Sequence, residues 1–360
     1  METPDRLKSV ENKQTVMMMH RFRFRGLAGA SLLAAFILFL TPLTGCEQPS
    51  GPLPIRIVYG AQPGALLLIL AREQAYFEQE GLAPTYTSYP SGKRALDEGL
   101  VAEKADIASC SDLPAVDMLR TTDDLVILSS FQAARSINRI IARKDRGISQ
   151  VSDLANKRVG TQQNSAVHFF LDRALQANGI DPGRVTHVYY PAEQLVSALA
   201  EGKVDALSMR EPFVSQALAQ LDKNGIAIEA PWVYPQFEVL VVRRGYAETH
   251  EEEIERVLRA LLRAERFLNE QPQQAAAILA RSMELPQDKV EQILAQTINR
   301  VSLTQALLSM AEIQQGWLNS QSHATPRANI DLLDFFYPAP LQAVDVLRID
   351  VAGFSQQEVH

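Results

Sequence analysis

Residues Lys157 to Phe213, KRVGTQQNSAVHFFLDRALQANGIDPGRVTHVYYPAEQLVSALAEGKVDALSMREPF, alternate three short apolar runs with two segments of helical periodicity. The runs are Arg158–Thr161, Val185–Tyr190 and Val204–Met209. Between the first two, Val167, Phe170, Leu171, Ala174 and Leu175 recur at i, i+3, i+4, i+7 and i+8, one continuous apolar stripe, and Gly179 stands where a left-handed cap closes a helix. The stretch therefore reads β-α-β-α-β. Crossovers within one sheet are right-handed, which makes the three strands parallel. A parallel sheet opens its ligand crevice at the carboxyl ends of its strands, so Thr161–Ser165 and Arg210–Pro212 are expected to face one space.

The same plan precedes it. Ile55–Tyr59 reads as a buried strand, followed by Gly60–Gly64 and a helix from Ala65 to Glu80 that Gly81 ends. Strands at Pro84–Tyr89 and Asp106–Ala108 follow, with Ser91-Gly92 opening a helix to about Lys104 and Ser109–Asp112 leading into another. The halves share architecture; no sequence repeat of fixed period is visible. Leu125–Phe131 and Ile137–Arg143 are two more strands, the chain crossing to a second lobe near Ala142, and Phe237–Arg243 is the return strand. Two crossings between lobes make a hinge.

From Glu251 the chain reads as helical, with Ile254, Val257, Leu258, Leu261 and Leu262 on one face and Arg256, Arg259, Arg263 and Glu265 as a solvated side. Further helices are expected at Pro272–Met283, Gln287–Gln296 and Gln305–Asn319, a short one at Ile330–Phe336 that Pro338 and Pro340 break, and a strand at Val344–Val351. That tail is expected to pack on the first lobe.

The first 45 residues read as a removable targeting segment: Arg21, Arg23 and Arg25, an uncharged apolar run from Gly26 to Leu40, then Leu43-Thr44-Gly45-Cys46. Thr41-Pro42 shortens the run below the roughly 20 residues that a membrane span requires. Residues before about Met17 have no place in such a segment and read as an over-extended start. Glu47 to Pro54, rich in Pro, Ser and Gly, reads as a tether. The other cysteine, Cys110, is expected to be a buried, inert thiol. A formal charge of -7 over 360 residues, with no dense basic run beyond the first segment, argues against nucleic acid as a partner. The sequence has no Gly-x-Ser-x-Gly elbow, Walker loop, Gly-x-Gly-x-x-Gly or paired-His spacing, and GTQQNS lacks the Lys of a nucleotide loop. His187, His250 and His323 are scattered. No catalytic residue, cofactor or metal is therefore expected.

Four phrases, LLILAREQAYFEQEGL (Leu67 to Leu82), SGKRALDEGLVAEKADIAS (Ser91 to Ser109), DLANKRVGTQQNSAVHFFL (Asp153 to Leu171) and ALAEGKVDALSMREPF (Ala198 to Phe213), resemble the solute-binding proteins of bacterial ABC importers, in the group that binds nitrate, taurine, alkanesulfonates and thiamine-pyrimidine precursors. The start of the chain resembles the lipobox of bacterial lipoproteins, where cleavage precedes a Cys that is lipidated, here Cys46. The resemblance implies an α/β, two-lobed type II periplasmic-binding-protein fold, each lobe a mostly parallel sheet flanked by helices, joined by a two-crossing hinge. The division expected is a signal peptide over 1–45, a tether over 46–54, first-lobe segments over 55–141 and 239–330, a second lobe over 142–238, and a tail over 331–360. It implies a monomer in the periplasm, or at the cell surface where there is one membrane, anchored through its lipid, delivering a small polar, anionic solute to an ABC permease and its ATPase. A same-fold enzyme of pyrimidine or menaquinone-precursor biosynthesis, without the Cys-rich motif of the pyrimidine-forming type, and a sensory receptor are the alternatives.

The resemblance places the turns Ser91-Gly92 and Asn164-Ser165 at the cleft, where free N–H groups at a helix start bind anions; plain capping is the alternative. Gln62, Ser111, Thr161, His168, Arg210 and Glu211 are further candidates for ligand contact. In the family, Trp-Glu-Pro or Trp-Asp-Pro usually follows the third strand of the second lobe, and here Arg210, Glu211 and Pro212 stand there. A guanidinium in place of a ring favours an anionic headgroup, unless Arg210 and Glu211 bridge each other.

Overall fold

The computed structural model describes residues 51–230, 233–321 and 330–354, within one compact unit that begins at Pro49. The targeting segment, Cys46 and the tether as far as Ser50 lie outside the described residues.

The strands are, in chain order, β1 (Leu53–Gly60), β2 (Leu82–Tyr89), β3 (Ile107–Ser111), β4 (Leu125–Ala134), β5 (Arg139–Arg143), β6 (Arg158–Thr161), β7 (Thr186–Tyr189), β8 (Ala206–Met209), β9 (Gly225–Ile228), β10 (Gln236–Arg243), β11 (Thr297–Ile298), β12 (Leu303–Thr304) and β13 (Ile349–Asp350). They form a six-stranded sheet ordered β11-β4-β10-β3-β1-β2, a five-stranded sheet ordered β7-β6-β8-β5-β9, and the pair β12-β13. Strands β1, β2 and β3 are parallel, as are β6, β7 and β8. Both β-α-β-α-β units thus fold as their periodicity dictates.

Antiparallel strands complete each sheet. β10 inserts between β3 and β4, while β5 runs beside β8 with β9 outside it. β9 was not expected: Gly-Ile-Ala-Ile is too short for its pattern to separate it from a helix end. The chain passes between the sheets at 135–138, before Ala142, because Arg139–Ala142 pairs with β8 and Ile140–Arg143 with β9. It returns between Ile228, the end of β9, and Gln236, the start of β10.

The helix Ala166–Ala177 buries Val167, Phe170, Leu171, Ala174 and Leu175 and ends in a Schellman closure. Gly179, at φ 72°, lets its own N–H reach Gln176 O at 3.0 Å and the Ile180 N–H reach Leu175 O at 2.9 Å. Other expectations need correction. Ala65–Glu80 is two helices, Leu66–Glu73 and Tyr76–Gln79, separated by Ala75 at φ 52°. The break turns Phe77 fully inward, 6.0 Å from the Tyr86 ring. After Ser91 a single α-turn, Gly92–Arg94, widens into the π-helix Ala95–Val101. Pro338 and Pro340 start the helix Ala339–Asp345 rather than breaking one, since proline suits a first turn whose N–H groups have no helical partner; only Ile349–Asp350 of the expected last strand is extended. This tail packs on the six-stranded sheet, with Tyr337 N–H donating to Ile127 O at 2.9 Å.

The arginines of the long helix Glu251–Glu270 are not merely solvated. Arg259 and Arg263 both grip the Glu80 carboxylate, at 3.2 and 3.1 Å, and Arg256 donates to Glu80 O at 3.0 Å. They bind this helix to the first βα unit. No helix among the described residues is long and apolar enough to cross a membrane.

The amino ends of the two parallel units carry matching ion pairs. Arg56 of β1 bonds Asp106, just ahead of β3, with its backbone N–H at 2.8 Å and its guanidinium at 2.6 Å. Arg158 of β6 bonds Asp205, just ahead of β8, at 2.9 and 2.8 Å by the same two groups. Burial pushes both carboxyls up, but the arginine hydrogen bonds outweigh it and leave each below the ordinary aspartate range.

Candidate functional site

At the carboxyl ends of the parallel strands the two sheets face each other, and polar contacts cross the gap. Gln162, after β6, donates to Ser91 Oγ at 3.2 Å, and Asn164 donates to Asp117 at 2.9 Å. Arg94 pairs with Glu193 at 2.6 Å, and Lys289 with Glu211 at 3.0 Å. The loop after β6 thus lies against Ser91, which follows β2, and against Asp117 on the helix Asp112–Leu119. A cavity of about 470 Å³, lined among others by Lys93, Arg94, Tyr189, Tyr190 and Glu193, opens at this seam.

Several candidate residues have local duties. Ser165 caps its helix by accepting from His168 N–H at 3.4 Å while donating to Gln162 O at 2.7 Å, which commits both functions of its hydroxyl. Ser91 accepts from Arg94 N–H at 3.3 Å. Gln62 ties the first loop to the second by donating to Pro90 O at 3.0 Å. Gly92 lies where a Cβ would stand 2.8 Å from Cys110 Cα, so no side chain fits there. Ser111 is buried and leads into the helix Asp112–Leu119 without capping it. Asn164 holds φ 49°, a left-handed turn that aims its amide across the gap.

Arg210 and Glu211 do not bridge each other. Glu211 binds Lys289 and accepts from Ser215 N–H at 3.1 Å, fixing the start of the helix Phe213–Leu221. Arg210 is 5% exposed, its side chain makes no ion pair or hydrogen bond among the described residues, and its Nε is buried without a partner. Thr161 Oγ1, at the end of the neighbouring strand β6, is likewise buried and unpartnered. Burial lowers the Arg210 pKa, opposed by the fields of Glu238, Tyr234 and Asp112 on the opposite side. A guanidinium nevertheless stays charged.

The opposing groups are residues that sequence reasoning missed. Glu238 accepts from Ser109 Oγ at 2.8 Å, and burial raises its pKa to about 7 despite Arg210. Asp112 accepts from the Tyr234 hydroxyl, from Phe237 N–H at 3.2 Å and from Leu113 N–H at 3.0 Å; burial lifts it to about 6. The one signal for Glu238 was a lone acid inside an otherwise apolar strand, FEVLVV. A buried cation without a hydrogen-bonded counter-ion, facing carboxyls whose pKa values burial raises, can receive a small anion and leave each lobe with hydrogen bonds to it.

His168 lies elsewhere, in an aromatic cluster with Trp317 at 4.8 Å and Tyr189 and His187 at 5.2 Å between ring centres. Burial drives its pKa down to about 4. Cys110 is buried, and burial pushes its thiol well up, as expected of an inert thiol.

Comparison with known proteins agrees with the fold. The model of the NMT1/THI5 like family matches residues 62–275. A protein of Bacillus subtilis (strain 168) named for binding aliphatic sulfonates is 28% identical over 274 residues, covering 72% of this chain and 80% of the relative. One so named in Escherichia coli (strain K12) is 27% identical over 243 residues, covering 66% and 74%. Among solved structures, the alkanesulfonate-binding protein SsuA from Xanthomonas axonopodis pv. citri bound to MOPS superposes with a TM-score of 0.69 at 22% identity, over 80% of this chain and 99% of that one.

Proposed function

Because the chain belongs to the NMT1/THI5 like family, we propose that it is the substrate-binding component of an ABC importer, capturing a small organic anion of the sulfonate kind between its two lobes. The observation that carries the anion preference is Arg210, a buried guanidinium with no partner among the described residues. Its charge can be compensated by a ligand oxyanion without displacing any existing bond. The anion sits between Arg210 at the end of β8 and Glu238 of β10, which donates its O–H to a ligand oxygen while protonated. Contacts made with both lobes at once shift the open-closed equilibrium toward the closed form, which a permease reads. Glu211, Asn164 and Gln162 belong to closure rather than to recognition.

The binding role carries no chemistry, and the relatives above bear the names of binding proteins. Anchoring follows from Leu43-Thr44-Gly45-Cys46: Cys46 holds the lipid, the tether lets the body stand off the membrane, and the protein acts as a monomer beside its permease and ATPase. We place the lobe limits between Ala134 and Arg139 and between Ile228 and Gln236, a reading that the division of the strands between two sheets supports.

Isothermal titration of the purified chain with taurine, short alkanesulfonates, nitrate, carboxylates and neutral pyrimidines tests the reading. Saturable binding of sulfonates at one equivalent is expected. Binding of neutral aromatics alone would overturn it. Loss of the protein from the membrane fraction in Cys46→Ser tests the anchor.

A further inference from the structure

The fold assembles a group of donors that the sequence keeps apart. His168 and Asp172 stand one turn apart on the helix Ala166–Ala177, and His187 comes from β7 alongside. Their three ligand atoms all lie within 4.8 Å of one another. We propose that His168, Asp172 and His187 form a binding site for a divalent transition metal, with Zn²⁺ the ion that best matches two imidazoles and one carboxylate.

The surroundings have the layout of a supported site. Asp172 is buried, and its two oxygens are already differentiated. Oδ2 accepts from Trp317 Nε1 at 3.0 Å and from Gln321 at 3.3 Å, which holds the carboxylate plane and leaves Oδ1 turned to His187 Nε2 at 2.8 Å. Orientation of a ligating carboxylate by donors to its other oxygen is the usual outer arrangement of such centres. Tyr189 hydroxyl lies 3.4 Å from His168 Nε2, placing that oxygen, or a water, at a fourth position.

Loading has a defined proton account. The proton that His187 Nε2 shares with Asp172 moves to His187 Nδ1, and His168 takes the tautomer with Nε2 bare, giving up the long 3.4 Å contact between its Nδ1 and Asn164 N–H. Two ligands come from one helix and the third from the adjacent strand, so the site needs no lobe closure. Trp317, on the helix Gln305–Gln321, reports it because its indole touches both Asp172 and His168. The proposal is independent of the solute reading, since neither Arg210 nor Glu238 takes part.

The test is titration of the purified, chelator-treated chain with ZnCl₂ alone, followed by calorimetry and tryptophan emission. One ion per chain is expected, with an emission change that is absent from Trp317→Phe, a variant that also loses the donor to Asp172 Oδ2 and should bind the ion more weakly. His187→Ala, at a half-buried position, is expected to weaken binding at least 100-fold, and Asp172→Asn by 10-fold or more. Co²⁺ in place of Zn²⁺ is expected to give the visible bands of a four-coordinate ion. No binding at one equivalent, or binding that His187→Ala leaves intact, overturns the proposal. Circular dichroism of His187→Ala shows whether a loss reflects the site or the fold, and if that variant is unfolded, His187→Gln supplies the same comparison with its ring removed and its amide retained.

Discussion

Arg158 and Arg210 serve opposite ends of the same three parallel strands, and their surroundings differ in kind. Arg158, at the amino end of β6, is satisfied by Asp205 at 2.8 Å although its side chain is 43% exposed. Arg210, beyond the carboxyl end of β8, is 5% exposed and has no counter-ion among the described residues. A fold stabilises itself with pairs like the first, and Arg56 with Asp106 repeats that pair in the other lobe. An arginine held like the second costs stability, because its desolvation is not offset. The difference separates the amino ends, whose ion pairs support the fold, from the carboxyl end of β8, where we propose that a ligand binds.

The largest effect follows directly. Arg210→Ala should weaken sulfonate binding by about 3 kcal/mol, more than 100-fold in Kd, the cost of deleting one member of a buried charge pair. Arg210→Met should at the same time raise the melting temperature of the solute-free protein, by about 1 kcal/mol in stability, because a buried unpaired charge is replaced by an apolar chain of similar length. Calorimetry and thermal denaturation read the two effects separately. If Arg210→Met destabilised the solute-free protein, the guanidinium would be a structural partner like Arg158, and the contrast would collapse.

The converse substitution comes next. Asp205→Asn or Asp106→Asn should lower stability by about 2 kcal/mol, the scale of a lost hydrogen bond to a charged group, and leave the sulfonate Kd within about twofold. Urea denaturation checks the first number and titration the second.

pH should divide the two ends further. Asp106 and Asp205 have lowered folded pKa values, so their stabilisation is present above the ordinary aspartate value and is lost as pH falls through the folded one. Glu238 is raised to about 7, so its contribution is full below the ordinary glutamate value and is lost as pH rises through about 7; Asp112, at about 6, adds to the same limb. His168, depressed to about 4, acts on the acid side with the aspartates. The difference in melting temperature between Glu238→Gln and the parent, followed from pH 4 to 8, should therefore change only on the neutral limb. Sulfonate affinity should fall by up to about tenfold from pH 6 to 8, as an ionised Glu238 repels the anion, and Glu238→Gln should flatten that fall.

Which parts of this were legible beforehand follows from period and reach. The strands and the Val167–Leu175 stripe were readable because burial on one face imposes a repeat. The matching amino-end pairs left a faint echo, Lys104-Ala105-Asp106 against Lys203-Val204-Asp205, too short to count as a repeat. Arg210 was visible as a departure from a family pattern, but its isolation was not, since partners lie far away in sequence. Glu211 was read as a ligand contact or else a partner for its neighbour, whereas Lys289 reaches it from 78 positions away. Glu238 and the grouping of His168 with His187 depend on tertiary placement and carried almost no local signal. The breaks at Ala75 and in the π-helix after Arg94 arise from packing that overrides periodicity.

The smallest effect concerns the rim of the cleft. Arg94 uses Nη1 for Glu193 across the gap, at 2.6 Å, and Nε with Nη2 for Glu98 on its own helix, at 2.7 and 2.9 Å. Opening the lobes therefore strips Arg94 of one partner and leaves the other, which limits what the crossing pair contributes. Both side chains are about a third or more exposed, 31% and 40%, so water competes for them as well. Exposed pairs of this kind contribute about 0.2–1 kcal/mol. Glu193→Gln should accordingly raise the sulfonate dissociation rate no more than about fivefold, with little change in association, and 1 M salt should erase the difference. A double-mutant cycle of Arg94→Gln with Glu193→Gln isolates the pair. A coupling as large as the loss in Arg210→Ala would mean that closure is held at the rim, and that the unpaired arginine within is not the group that makes the solute the reason to close.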